Sequence, residues 1–107
     1  MKLSDKKCVP CEGGVPKMKP EEIKEYNSRL KTPWEVVDDM KIHRTFEFGD
    51  FKETMKFVNQ IADLAEEEGH HPVMHVFYGK VEVEFWTHAI MGLSENDFIM
   101  AAKIEDL

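Results

Sequence analysis

Residues 50–72 read DFKETMKFVNQIADLAEEEGHHP, and the rest of the chain is organised around this stretch. Phe51, Met55, Val58, Ala62 and Ala65 recur at helical spacing, and Ile61 and Leu64 widen the stripe. Lys52, Glu53, Lys56, Asn59, Asp63 and Glu66 fill the opposite face. The spacing predicts a helix over about 51–67. Asp50 is its N-cap, with Glu53 three residues on in the capping-box pattern. Gly69 is suited to the left-handed residue that closes a helix. His70, His71 and Pro72 follow at once. Pro72 confines His71 to extended backbone, and its missing N–H suits the first residue of a strand.

Working outward, Val73–Tyr78 and Val81–His88 are two β-like runs flanking Gly79-Lys80, which reads as a two-residue hairpin loop of type II′. Upstream, Trp34–Val37 and Lys41–Phe48 flank Asp38-Asp39 and form a second hairpin, with Ile42, Phe46 and Phe48 on one face. Pro20 opens an earlier helix with Glu21 and Glu22 in its first turn, and Thr32-Pro33 closes the segment. Ser94 caps a last helix, with Glu95 and Asp97 in its first turn. The order of elements predicts an α+β fold, a four-stranded antiparallel sheet with three helices packed on one face. Residues 1–19, which carry Cys8, Pro10, Cys11, Gly13, Gly14 and Pro16, read as a flexible N-terminal tail, and residues 20–107 as a single domain.

With Gly79-Lys80 as the loop, Val76 faces Val83 and Met74 faces Phe85. Carrying the ladder outward sets His71 opposite His88, with Cβ atoms roughly 5 Å apart. His70 can reach the same mouth from the helix-to-strand corner, and Glu66, one helical turn earlier, can hold an imidazole there. Three of the chain's five histidines therefore converge. Acid–base catalysis or polar recognition, metal binding by His70, His71 and His88 with Glu66, and a purely structural corner all fit that pattern. His71 and His75 cannot share one ion, because four strand positions separate them by roughly 13 Å. His43 and His75 sit mid-strand on a polar face and read as structural. Trp86 lies on the same sheet face and suits a pocket wall or a subunit interface. Trp34 suits either core or pocket.

The totals exclude several classes. The net charge of −7 argues against a general binder of nucleic acid or anionic membrane. No apolar run approaches the roughly 20 residues of a membrane span, and no secretory signal is evident, so the expected location is cytoplasmic. Two cysteines at Cys-x-x-Cys spacing lack the second pair a structural zinc needs.

Glu66-x-x-x-His70-His71-Pro72, Tyr78, Thr87-His88 and Gly92-Leu93-Ser94 with Asp97 together resemble the signature of pterin-4a-carbinolamine dehydratases. The resemblance runs from about Trp34 to the end, and the Cys8–Gly14 segment is similar to the N-terminus of bacterial members. The resemblance implies a metal-free, cofactor-free lyase that removes water from 4a-hydroxytetrahydropterin to give quinonoid dihydropterin. It implies a small-molecule pterin partner and a homodimer or homotetramer, while the charge and the lack of an apolar span set the expectation of no nucleic acid and no membrane. Carried onto this sequence, His70, His71 and His88 are catalytic, and Glu66, Pro72, Thr87, Asp97 and Trp34 bind or support. Met74, Gly79 and Trp86 depart from residues frequent in the family and bear on pocket shape. The alternative is a non-catalytic pterin-binding or protein-dimerisation module, a role that animal relatives play for a homeodomain transcription factor.

Overall fold

A computed structural model describes residues 2–9 and 16–107. Its elements are α1 (Pro20–Ser28), β1 (Glu35–Val37), β2 (Lys41–Glu47), α2 (Phe51–Glu68), β3 (Val73–Val76), β4 (Lys80–Phe85) and α3 (Glu95–Glu105), with 3-10 turns at Leu3–Asp5 and His88–Ile90. The four strands form one antiparallel sheet in the order β1-β2-β4-β3, with the helices on one face. The expected fold class is the observed one.

Each element follows from local chemistry. Asp50 accepts the Glu53 N–H at 2.8 Å and starts α2; Gly69, at φ 68°, ends it. Along β4, Val81, Val83 and Phe85 are fully buried while Lys80, Glu82 and Glu84 face outward. Ile42 on β2 and Val58, Ile61 and Ala65 on α2 join the same core. Each such side chain contributes about 1.5–3 kcal/mol when fully buried. The helix α3 buries Phe98, Ile99, Met100 and Ala101 in succession. A helix buried on successive residues needs cover on more than one side, and the Leu3–Asp5 turn and α1 supply it.

Two expectations are corrected. The β3–β4 register is shifted by two: Val76 pairs with Val81 and Met74 with Val83, so Tyr78-Gly79 forms the turn rather than Gly79-Lys80. Neither turn residue has a positive φ, so the turn is not type II′. Tertiary hydrogen bonds set it instead. The Gly79 carbonyl accepts the Phe48 N–H at 2.8 Å, and the Tyr78 carbonyl accepts the Thr54 hydroxyl at 3.0 Å. A Cβ on Gly79 would stand 3.1 Å from the Phe48 carbonyl oxygen, so close approach rather than φ favours glycine there. A shift of two preserves which side chains face the core but removes the predicted pairing of His71 with His88.

The second correction concerns the tail. Residues 3–9 are tied to the domain: Leu3 is 6 % exposed in the core cluster, the Cys8 N–H donates to Glu68, and Val9 bonds to the Asn96 amide. Side-chain-to-backbone bonds hold this segment, so no periodic pattern reveals it. Burial, with the charge of Glu68 beside it, pushes the Cys8 thiol up to about 12, which leaves little reactive thiolate at neutral pH. Cys11, and with it the Cys-x-x-Cys pairing, lies outside the described residues.

Two outcomes follow for stability. Gly69→Ala costs about 1–2 kcal/mol because a Cβ there meets no atom but does meet a left-handed φ. Gly49→Ala, equally unobstructed and without a positive φ, is neutral or gains up to about 1 kcal/mol. Urea denaturation of the two variants checks the contrast. Glu68, with a side chain 4 % exposed, has its carboxyl held below the usual range by the Cys8 N–H, and Lys103 adds to this. Its contribution is present above the ordinary carboxylate pKa and is lost as pH falls through the lowered folded value. The stability of Glu68→Gln therefore declines less steeply on acidification than that of the parent, as denaturation midpoints from neutral pH downward would show.

Candidate functional site

The α2–β3 corner forms because Gly69 turns the chain out of the helix, with its N–H and that of His70 both donating to the Ala65 carbonyl. The turn swings the His70 ring inward. Its side chain is 12 % exposed and lies parallel to Phe85, with ring centroids 5.9 Å apart. The Nε2 of His70 sits 2.6 Å from Oδ1 of Asp97, which is fully buried. The other Asp97 oxygen, Oδ2, accepts the Thr87 hydroxyl at 2.8 Å and the Ser94 N–H at 3.0 Å. Ser94 Oγ and Thr87 Oγ1 lie 2.7 Å apart.

This set fixes a tautomer by argument from partners. An ionised carboxylate only accepts hydrogen bonds, so the ring proton of His70 belongs on Nε2. Nδ1 has no hydrogen-bond partner among the described residues.

Beyond Phe85 the chain leaves the sheet. Thr87 and Gly92 close a small loop through reciprocal backbone bonds of 2.8 and 3.4 Å, and His88 begins the 3-10 turn inside it. The exposed His88 ring stacks on Trp86 with centroids 4.5 Å apart. His71 is also exposed, and its Nε2 is hydrogen-bonded to Glu66. The three histidines, with Pro72, Trp86 and Thr87, line one open cavity of about 400 Å³. A larger cavity, about 520 Å³, lies by Leu3, Arg29 and Lys31, but Arg29 is already paired with Glu25 and Lys31 with Asp106.

The site residues predicted from sequence therefore come together, with exceptions. The imidazole that Glu66 holds is that of His71. Trp34 does not line the cavity. It is 3 % exposed, packed edge-on to Phe46 and against Phe85, because it enters the sheet on the helix-covered face. It reaches the site only through Phe85, whose ring also carries His70. His43 and His75 pair across the sheet with Glu84 and Glu82, away from the cavity. Two contributors were missed, Phe85 and Ser94. The Ser94-x-x-Asp97 spacing is itself a capping-box pattern, and it was the available signal for the serine. Among the described residues, no group of three or more His, Cys, Asp or Glu side chains is arranged to hold a metal ion, and no helix is long and apolar enough to cross a membrane.

Comparison with known proteins gives the family. Residues 16–107 match the family model described as pterin 4 alpha carbinolamine dehydratase. A protein of Alkaliphilus metalliredigens, provisionally named a pterin-4-alpha-carbinolamine dehydratase, is 48% identical over 103 residues, covering 96% of this chain and 93% of its own. The crystal structure of a transcriptional coactivator/pterin dehydratase from Brucella melitensis superposes with a TM-score of 0.78 at 34% identity, covering 84% of this chain and 96% of its own. A pterin dehydratase-like RuBisCO assembly factor of the alpha-carboxysome shares the fold, with a TM-score of 0.59 at 23% identity, covering 68% of this chain and 86% of its own. On the family match and the near-complete coverage of its relatives, this chain belongs to the pterin 4 alpha carbinolamine dehydratase family.

Proposed function

We propose that the chain dehydrates 4a-hydroxytetrahydropterin to quinonoid dihydropterin and water, by proton transfer between the substrate and histidines, and so returns the pterin to use as a reduced cofactor. The observation that carries this reading is the set of three histidine rings around one cavity, one of them held by a buried carboxylate. A cavity of about 400 Å³ falls in the range of roughly 300–1,000 Å³ usual for small-molecule sites, which suits a flat bicyclic pterin.

The reaction is redox-neutral. The C4a–O bond breaks, the hydroxyl leaves with one added proton as water, and a ring N–H gives up its proton as the C=N bond forms. An acid and a base are needed, and no electron acceptor, metal or organic cofactor enters the step. His70 and His88 exchange these protons. Asp97 orients His70 with Nδ1 available to take the ring proton, as a buried carboxylate does for an imidazole in hydrolase triads. His88 has no carboxylate partner among the described residues and serves the leaving oxygen. His71, tethered to Glu66, binds and orients the substrate, with Pro72 fixing its backbone. Trp86 offers an aromatic wall. The reading carries with it a free pterin as partner, with neither nucleic acid nor membrane, a cytoplasmic location, and a homodimeric or homotetrameric assembly.

The decisive test follows the decay of freshly generated 4a-hydroxytetrahydropterin. The parent chain should accelerate dehydration, and His70→Ala and His88→Ala should each lose about 10²–10⁴-fold, the usual worth of positioned proton transfer, while still binding pterin. Parent-like rates in both variants would remove the proposed pair. Pterin binding by the parent chain without acceleration would leave the non-catalytic binding or dimerisation module.

A further inference from the structure

We propose that Leu3–Val9 is a positioning strap for the His70–Asp97 pair, which it holds through Asn96 and Glu68. The proposal rests on the dehydratase reading for its consequence and on geometry for its existence. His70 leaves the end of α2, and Asp97 lies in the first turn of α3. Their 2.6 Å contact therefore depends on how those two helix ends are set against each other.

Two adjacent strap residues bond to the two neighbouring positions. The Cys8 N–H donates to Oε1 of Glu68 at 2.9 Å, and Glu68 is the last residue of α2, two before His70. The Val9 N–H donates to Oδ1 of Asn96 at 3.0 Å, and Asn96 Nδ2 donates back to the Val9 carbonyl at 2.6 Å. Asn96 directly precedes Asp97 and its side chain is buried. A side-chain amide paired on both sides with a peptide group fixes orientation as well as distance. Oε2 of Glu68 then accepts from Lys103 of α3 at 3.1 Å, which is the one ion pair joining α2 to α3 among the described residues.

The strap is anchored away from the site. Leu3 is buried in the core, and Lys6 pairs with Glu95 at 2.9 Å. A segment that merely covered α3 would need only the Leu3 contact. Here four polar bonds, the fourth from the Cys8 thiol to the Asn96 carbonyl at 3.7 Å, are placed on Glu68 and Asn96 beside the pair. Glu68 and Asn96 touch no substrate in this scheme; they act through His70 and Asp97.

The test compares three full-length variants. Asn96→Ala cuts both side-chain hydrogen bonds to Val9. Leu3→Ala loosens the strap at its anchored end and leaves every site residue in place. Val81→Ala is the control, a buried core side chain at the hairpin-turn end of β4. Two readouts are taken on folded protein, the downfield NMR resonance of the His70 Nε2–H and steady-state kinetics with 4a-hydroxytetrahydropterin. In Asn96→Ala and Leu3→Ala the resonance should move upfield or broaden, and kcat per folded molecule should fall about tenfold with KM within about twofold, as a small misplacement of a catalytic group produces. Val81→Ala should lower Tm and change neither readout. If Asn96→Ala does not fold, Leu3→Ala decides alone. An unmoved resonance in folded Leu3→Ala, or a moved one with unchanged kcat, overturns the strap. A parent chain that fails to dehydrate the substrate sinks the dehydratase reading instead, and the resonance still decides whether the strap holds the pair.

Discussion

A carboxyl group removed completely from water must have its oxygens hydrogen-bonded. Asp97 meets that demand with three donors drawn from three places: the Ser94 N–H at the start of α3, the Thr87 hydroxyl after β4, and the His70 ring after α2. The constraint runs in both directions. The donors stabilise the carboxylate, and the carboxylate fixes where three chain segments meet. The sheet and helices bring the parts near, but this one buried charge sets the orientation of the ring that the site depends on. Breaking it by removing one partner would leave an uncompensated buried group, typically at a cost of about 3–5 kcal/mol.

Much of this was legible in the sequence, and the reasons are specific. The helix α2 declared itself through its period, its Asp50 cap and its Gly69 stop, because all three signals are local. The alternation along β4 was equally local. Hence the fold class and the gathering of His70, His71 and His88 could be read before any coordinates. The β3–β4 register could not. Gly79-Lys80 and Tyr78-Gly79 are both plausible turns in isolation, and the choice is made by Phe48 and Thr54, which lie 24 or more residues away in sequence. Trp34 was ambiguous for a similar reason. An aromatic beside an edge strand can face either layer, and contacts with Phe46 and Phe85 settle it. The Leu3–Val9 segment is ordered by bonds to Glu68 and Asn96, partners about 60 and 87 residues distant, which no window-based pattern can register.

The register shift is instructive because it removed the predicted His71–His88 pairing without dispersing the site. A shift of two keeps every side chain on its face, so Trp86 and Glu84 stay on the open side and Phe85 stays on the core side. What brings His88 to the cavity is instead the Thr87–Gly92 loop, which turns the chain back after the strand ends. The convergence was therefore expected for a partly wrong reason. Local sequence marked which residues gather, and a different device gathers them.

The three rings end up in unequal environments, and that inequality suits the proposed dehydration. His70 is nearly buried, flat against Phe85, with one nitrogen committed to Asp97. It offers a single nitrogen in a fixed position. His71 and His88 are exposed, one held by a solvent-facing glutamate and the other by stacking on Trp86. Both rings are open to solvent. Were all three rings buried, the protons moved in each cycle would have no exit. Were all three exposed, none would be oriented before the substrate arrived, and the entropic advantage of a pre-placed base would be lost. A single buried carboxylate, acting on one ring only, separates the two requirements within one cavity.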